Sequence, residues 1–293
     1  EQPLKDLSIT RKNVWGLEFP IDKNYSTAVW TEALLNYLTT LDYPNKKFKE
    51  FWPTLNVIGP DIIWHHTVIY WSLLWALDSK IKIPTILTHG YVTVKGEKMS
   101  KSLGNVIDPL ELAKRYPVDG IRYYLIREIP FGEDGDFSEE ALKARINNEL
   151  ANDLGNLVSR VLTLIEKNFK TLKKGELNKK LTSKLNLKKI QDYVDKYELH
   201  NSLSEIWKFV NEINKHINQE KVWELKGKEL EKHLYNLVES LRIIAILIYS
   251  FMPETSEKIN KQLGIELGKL KDCKFGLIKE YKVKKGGLLF KKV

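Results

Sequence analysis

From Leu142 onward, apolar residues return every three or four places: Leu142, Ile146, Leu150, Leu154, Leu157 and Val161. That spacing lines one face of a helix. Ser138 ahead of Glu139 and Glu140 supplies an N-cap with acidic residues at the positive end of the helix dipole. Further helical stretches cover roughly 183–197, 200–220 and 227–251, so the second part of the chain is predicted to be a bundle of about four to five helices. Before Ser138 the texture differs.

There, short strands alternate with helices, the pattern of an α/β fold with a parallel, doubly wound sheet. Ala28-Val29-Trp30 reads as a strand entering a helix through Leu41, because Leu34, Leu35 and Leu38 fall at helical spacing. Val57-Ile58 reads as a short buried strand, and Asp61 to Leu77 as a helix apolar almost all round. Ile86 to Val94 is β-branched and half alternating, hence a strand. Asp108-Pro109 opens a helix with Asp at the N-cap and Pro in the first turn. The fold class is therefore α/β followed by all-α.

The bulk numbers narrow the function. Of 293 residues, 43% are apolar, as in ordinary globular proteins. No run approaches the ~20 apolar residues of a membrane span, which predicts no membrane partner, and no signal peptide is visible; with a single cysteine, a reducing cytoplasm is the expected compartment. A lone Cys273 excludes a disulfide framework and any cysteine-built zinc site within the chain, and no metal site is expected here. The net charge of +9 favours a polyanionic partner, and from Lys269 onward nine lysines face only Asp272 and Glu280. That tail reads either as a solvated extension or as a contact for nucleic acid.

Lys98-Met99-Ser100-Lys101-Ser102, flanked by Gly96 and Gly104, carries the most chemistry. Two lysines three apart on a Ser- and Gly-rich loop make a mobile cationic arm suited to nucleotide phosphates; the alternative is a solvated loop. Gly59 and Asp61 stand at a strand-to-helix turn. There a backbone can approach a ligand and a carboxylate can accept hydrogen bonds from ribose hydroxyls, although Asp61 could equally cap the helix.

With its neighbours, the lysine segment carries a family resemblance. His89 to Asn105 (HGYVTVKGEKMSKSLGN), Asp119 to Leu125 (DGIRYYL) and Pro130 to Ser138 (PFGEDGDFS) resemble methionyl-tRNA synthetase, a class I aminoacyl-tRNA synthetase, and the match runs from about Leu4 to the end. The resemblance implies an enzyme that joins methionine to ATP, giving methionyl-adenylate, and passes the methionyl group to tRNA(Met). ATP with Mg2+, methionine and tRNA(Met) are the implied ligands. It implies four regions: 1–97, the C-terminal half of a Rossmann-type catalytic domain; 98–137, the lysine loop and a stem-contact region; 138–265, the anticodon-binding bundle; and 266–293, a basic extension packing back on the protein. The runner-up readings are a class I synthetase for another aliphatic amino acid and a non-catalytic tRNA-binding protein.

Residue by residue, the resemblance assigns Lys98 and Lys101 to catalysis, and Lys101, Gly59 and Asp61 to ATP. It assigns Trp30, Ala33, Tyr37 and His66 to the methionine pocket and leaves His65 without a role. Trp30 and Tyr37 would otherwise read as aromatic core. Aromatic walls suit a thioether, since sulfur packs favourably at ring edges. Asn156 and Arg160, four apart on one helix face, match residues that read anticodon bases, and Trp223 matches the aromatic on which a base stacks. Leu289 and Phe290 near the end are expected as packing anchors. Pro60, Glu32 and Tyr70 depart from the family's usual Lys, Asp and Trp.

The family's other signature, His-Ile-Gly-His, does not occur in these residues, and the sequence opens inside what resembles mid-domain sequence. The expectation is a processed, split or truncated protein. A missing N-terminal half of the catalytic domain would come from the same or a separate chain, and this chain alone would not be active.

Overall fold

The computed structural model describes residues 6–100 and 102–293. The chain divides into two compact units, residues 1–91 and 92–293.

In the first unit, Thr10–Lys12 pairs antiparallel with Tyr25–Thr27. The strand stops there, and Ala28 is the extended N-cap of the Val29–Thr39 helix. Val29 and Trp30 are thus helical, not strand as their β propensity suggested. Placing Leu34 and Leu38 against Tyr70, Leu74 and Ile81 buries a core that a strand would scatter over two faces. Asp61 to Leu77 is likewise not one regular helix. It comprises a 3-10 turn Pro60–Ile62, a π-helical turn His65–Ile69 and an α-helix Tyr70–Leu77. Leu55–Ile58 and Thr85–Thr88 pair in parallel, Ile58 opposite Thr88, with the helical segment as their crossover. Within this unit the predicted parallel sheet consists, among the described residues, of this single pair.

Ile86 to Val94 is not one strand. After Thr88 one more rung forms, His89 N–H to Ile58 O at 3.0 Å, and the chain then turns through Gly90 and Tyr91. Val92–Val94 joins a different sheet, between Glu97–Lys98 (antiparallel) and Gly135–Asp136 (parallel). Partners distant in sequence decide this break, and a β-branched run cannot reveal them.

The second unit is mainly helical. Asp108 Oδ1 accepts from Leu110 N–H at 2.7 Å and caps Pro109–Arg115, and Val118–Glu128 follows. Ser138 Oγ accepts from Ala141 N–H at 3.3 Å and starts a continuous helical rod. It runs through Glu139–Arg145, a π-helical stretch Ile146–Gly155, and Asn156–Asn168. All six apolar positions of the opening pattern are buried. The helices Leu187–Asp195, Leu199–Gln219, Gly227–Ile248 and Pro253–Leu263 pack around this rod. The predicted 183–197 helix begins only at Leu187, because Asn186 caps it by accepting from Lys189 N–H at 3.1 Å.

The tail is held by a buried ion pair. Arg242 donates to both Glu239 oxygens at 3.0 Å and to the carbonyls of Asp272 and Lys274. Glu239 also accepts from the backbone of Gly276 and Leu277 and from the Tyr281 hydroxyl. Phe290 is buried, Leu289 packs beside it, and Val293 exchanges hydrogen bonds with Asn147.

Candidate functional site

Trp30, Ala33 and Tyr37 sit at i, i+3 and i+7 on the Val29–Thr39 helix and so share one face. Opposite Tyr37 stands His66, 3% exposed, on the π-helical turn. Its Nδ1 lies 3.0 Å from Ile62 O, and its Nε2 lies 3.0 Å from the Tyr37 hydroxyl. A carbonyl can only accept, so Nδ1 carries the proton and Nε2 accepts from Tyr37. Trp30 meets the His66 ring edge-on at 6.2 Å between centroids. The structure therefore brings Trp30, Tyr37 and His66 into one aromatic cluster, with Ala33 exposed beside it.

His65, left without a role in the sequence, and Tyr70, noted there as a departure from the family's Trp, both join this neighbourhood. His65 stacks on Trp30, ring centroids 4.1 Å apart, because a π-helical turn aims successive side chains differently from an α-helix. Tyr70 lies 5.5 Å from Tyr37 between centroids, with a buried hydroxyl that has no partner among the described residues. Burial, then the neighbouring Tyr37, raises the Tyr70 hydroxyl above the ordinary tyrosine range.

Gly59 and Asp61 follow the carboxyl end of Leu55–Ile58, next to His89 beyond the parallel Thr85–Thr88. A Cβ at Gly59 would meet Asp61 Oδ1 at 2.9 Å, the end of an exposed side chain, and His89 Cε1 at 3.9 Å. Asp61 is exposed and does not cap the turn through its side chain. The carboxyl ends of parallel strands are where α/β folds hold ligands.

The lysine segment lies in the second unit. Lys95 and Gly96, with φ of 54° and 75°, make the tight turn between Val92–Val94 and Glu97–Lys98. Lys98 is thus on a hairpin strand rather than on the loop proper, with its side chain exposed. Lys101 lies outside the described residues. Asn105 closes the segment: its Oδ1 accepts from Ser100 N–H at 2.8 Å and its Nδ2 donates to Lys98 O at 3.3 Å. Asp136 Oδ1 accepts from Gly96 N–H and the Thr93 hydroxyl, both at 2.8 Å, which holds its carboxyl below the usual carboxylate range.

In the helical part, Arg160 donates from Nη2 to Asn218 Oδ1 at 2.8 Å, and its guanidinium sits 5.9 Å from the Trp223 ring centre. Trp223 is 50% exposed on a 3-10 turn, Val222–Glu224, entered through Lys221 in a left-handed conformation (φ 44°). Arg160 and Trp223 line a cavity of about 320 Å³ with Ser159, Thr163, Leu164 and Ile217. Asn156 is exposed one turn earlier and lines a separate cavity of about 220 Å³ beside Leu289 and Phe290. Asn218, which orients Arg160, carried no sequence signal because the pairing spans 58 residues.

Two family models match this chain. Residues 1–162 match the class I tRNA synthetases (M), and residues 178–282 match the anticodon-binding domain of tRNA ligases. The chain belongs to the class I tRNA synthetases (M). Within that family it is 45% identical, over 99% of its length, to a methionine–tRNA ligase of Caldanaerobacter subterraneus subsp. tengcongensis, covering 48% of that protein. It is 39% identical, over 98% of its length, to the Bacillus subtilis methionine–tRNA ligase, covering 46% of it. A crystal structure of the Mycobacterium tuberculosis methionyl-tRNA synthetase bound by methionyl-adenylate superposes with a TM-score of 0.90 at 33% identity, over 98% of this chain and 61% of that one. The chain thus spans about half the length of the curated relatives it matches. Among the described residues no helix is long and apolar enough to cross a membrane, and no cluster of three metal-binding side chains forms.

Proposed function

We propose that the chain is the second half of a methionine–tRNA ligase, working in the cytoplasm on methionine, ATP and tRNA(Met). The observation that carries this reading is the Trp30–Tyr37–His66 cluster. Its indole and phenol rings offer soft walls to a thioether, and His66 is fixed by Ile62 and Tyr37 so that its ring edge has one orientation. The methionyl-adenylate bound by the Mycobacterium relative supports the same ligand here. Ala33, on the shared face and without bulk, leaves room for the unbranched side chain.

Activation joins a methionine carboxylate oxygen to the α-phosphorus of ATP and breaks the bond to the β-phosphate oxygen, so negative charge grows on the phosphates and the leaving pyrophosphate. Lys98 and Lys101 supply ammonium groups to that charge, beside the Mg2+ that ATP brings as substrate. Gly59 gives the nucleotide a close backbone approach, and the Asp61 carboxylate accepts from its ribose. The terminal ribose hydroxyl of the tRNA then attacks the methionyl carbonyl, and AMP leaves.

The parallel pair and its crossover support reading residues 1–97 as the C-terminal half of a Rossmann-type domain, followed by a connective region to 137, the anticodon-binding bundle to 265 and the extension to 293. The N-terminal half, with His-Ile-Gly-His, comes from the rest of the protein or a second chain. Arg160 and Trp223, with Asn156 nearby, take the splayed anticodon bases by hydrogen bonding and stacking. Stacking contributes about 1–3 kcal/mol per base. Trp223→Ala is therefore expected to weaken tRNA(Met) binding by about fivefold or more, read by fluorescence anisotropy, while unfolding stays near that of the parent. Unchanged affinity would refute the stacking role.

A further inference from the structure

The C-terminal extension brings one more cation to Thr163, a residue that lines the Arg160–Trp223 cavity. Its backbone is fixed there by three hydrogen bonds. Lys284 N–H donates to Gln262 O at 2.8 Å, Lys285 N–H to Glu166 Oε1 at 2.5 Å, and Gly286 N–H to Gln262 Oε1 at 2.7 Å. The Lys285 side chain is tethered as well, its Nζ donating to Thr163 Oγ1 at 2.7 Å. Thr163 gives its own proton to Ser159 O at 2.7 Å and so acts as the acceptor. Thr163 lines the cavity, three residues beyond Arg160 and hence on the same helix face.

An exposed lysine normally gives up roughly 2 kcal/mol of rotamer freedom when it is ordered. Here much of that ordering is already present before any ligand arrives. Glu166, the nearest acidic group in sequence to Thr163, accepts a backbone N–H, and Lys285 Nζ pairs with no carboxylate among the described residues. Two of its three protons stay available. A compact ammonium suits a phosphate as a point charge, and Thr163, its tether, lines the same cavity as a ring and a guanidinium suited to a base.

We infer that Lys285 is a backbone-phosphate contact for the RNA strand whose base enters the Arg160–Trp223 cavity. The inference rests on reading that cavity as a base-stacking site. Because a phosphate carries no base identity, Lys285 contributes affinity and salt dependence but no discrimination between anticodons.

The test measures anisotropy of labelled tRNA(Met), and of the same tRNA with altered anticodon bases, against the full chain from about 50 to 200 mM salt. Lys285→Gln should lower the slope of log affinity against log salt by about 0.7, the value for one single-strand phosphate. It should weaken both RNAs alike, by about three- to tenfold at the low-salt end, and Lys285→Arg should restore both values. Trp223→Ala should instead shrink the difference between the two RNAs and leave the slope. An unchanged slope in Lys285→Gln, or a loss confined to one RNA, overturns the inference. If Trp223→Ala is silent while Lys285→Gln lowers the slope, the base site falls and the phosphate contact stands. If the parent chain binds neither RNA, both fall.

Discussion

Replacing Tyr37 by Phe removes a single oxygen from the aromatic cluster. The ring stays in place against Tyr70 and His66, at centroid distances of 5.5 and 5.8 Å. What is lost is the 3.0 Å hydrogen bond to His66 Nε2, on a side chain only 3% exposed. Ile62 keeps Nδ1, so the ring cannot turn over to find a second donor without breaking its other bond. A buried acceptor left without a donor costs about 1–3 kcal/mol. In a unit of 91 residues, each kcal/mol moves the melting midpoint by roughly 4–8 °C. Of the eight tryptophans, Trp15, Trp30, Trp52, Trp64, Trp71 and Trp75 lie in this unit, so tryptophan fluorescence during heating reports on it. Tyr37→Phe should lower that midpoint by at least about 4 °C. In a complete enzyme it should also weaken methionine binding by about tenfold, the equivalent of 1.4 kcal/mol. A midpoint within about 1 °C of the parent would refute the argument that this bond orients a buried histidine.

Two further outcomes are expected. Burial raises the Glu239 carboxyl, but Arg242, the Tyr281 hydroxyl and the Leu277 N–H together hold it below the usual range. A depressed folded-state pKa means stability that is full above the ordinary carboxylate range and lost as pH falls through the folded value. Glu239→Gln should therefore flatten the acid limb of the stability curve. At neutral pH it should cost about 3–5 kcal/mol in urea titrations, because Arg242 is left buried without its counter-ion; a loss below about 1 kcal/mol would contradict the pairing. In a complete enzyme, Lys101→Ala should slow adenylate formation by roughly a hundredfold or more while methionine binding holds. Equal losses in both would remove the lysine from its transition-state role.

Much of the helical part was legible because it depends on local spacing. Leu142 through Val161 predicted a buried face, and Ser138 and Asp108 predicted caps that form through their own side chains. The first unit was less legible. Val29 and Trp30 have strand propensities but are helical, since Leu34 and Leu38 gain more from facing Tyr70 and Leu74. The break between Thr88 and Val92 is set by Gly135–Asp136, more than forty residues on. At the candidate sites, the family resemblance pointed to Trp30, Tyr37, His66, Arg160 and Trp223, whereas residue type alone left Trp30 and Tyr37 as aromatic core. The residues that orient or stack on them are different. His65, Asn218 and Lys285 become visible only when a π-helical turn, a helix end and a returning tail are placed in space.

The most direct measurement joins these 293 residues to the N-terminal half of the relative that is 45% identical, replacing its own second half. ATP–pyrophosphate exchange is then followed with single amino acids. The expected result is exchange driven by methionine and not by leucine, isoleucine or valine, with none from the 293-residue chain alone. Exchange by that chain alone, or a folded chimera driven by another aliphatic amino acid, would contradict its reading as the second half of a methionine–tRNA ligase.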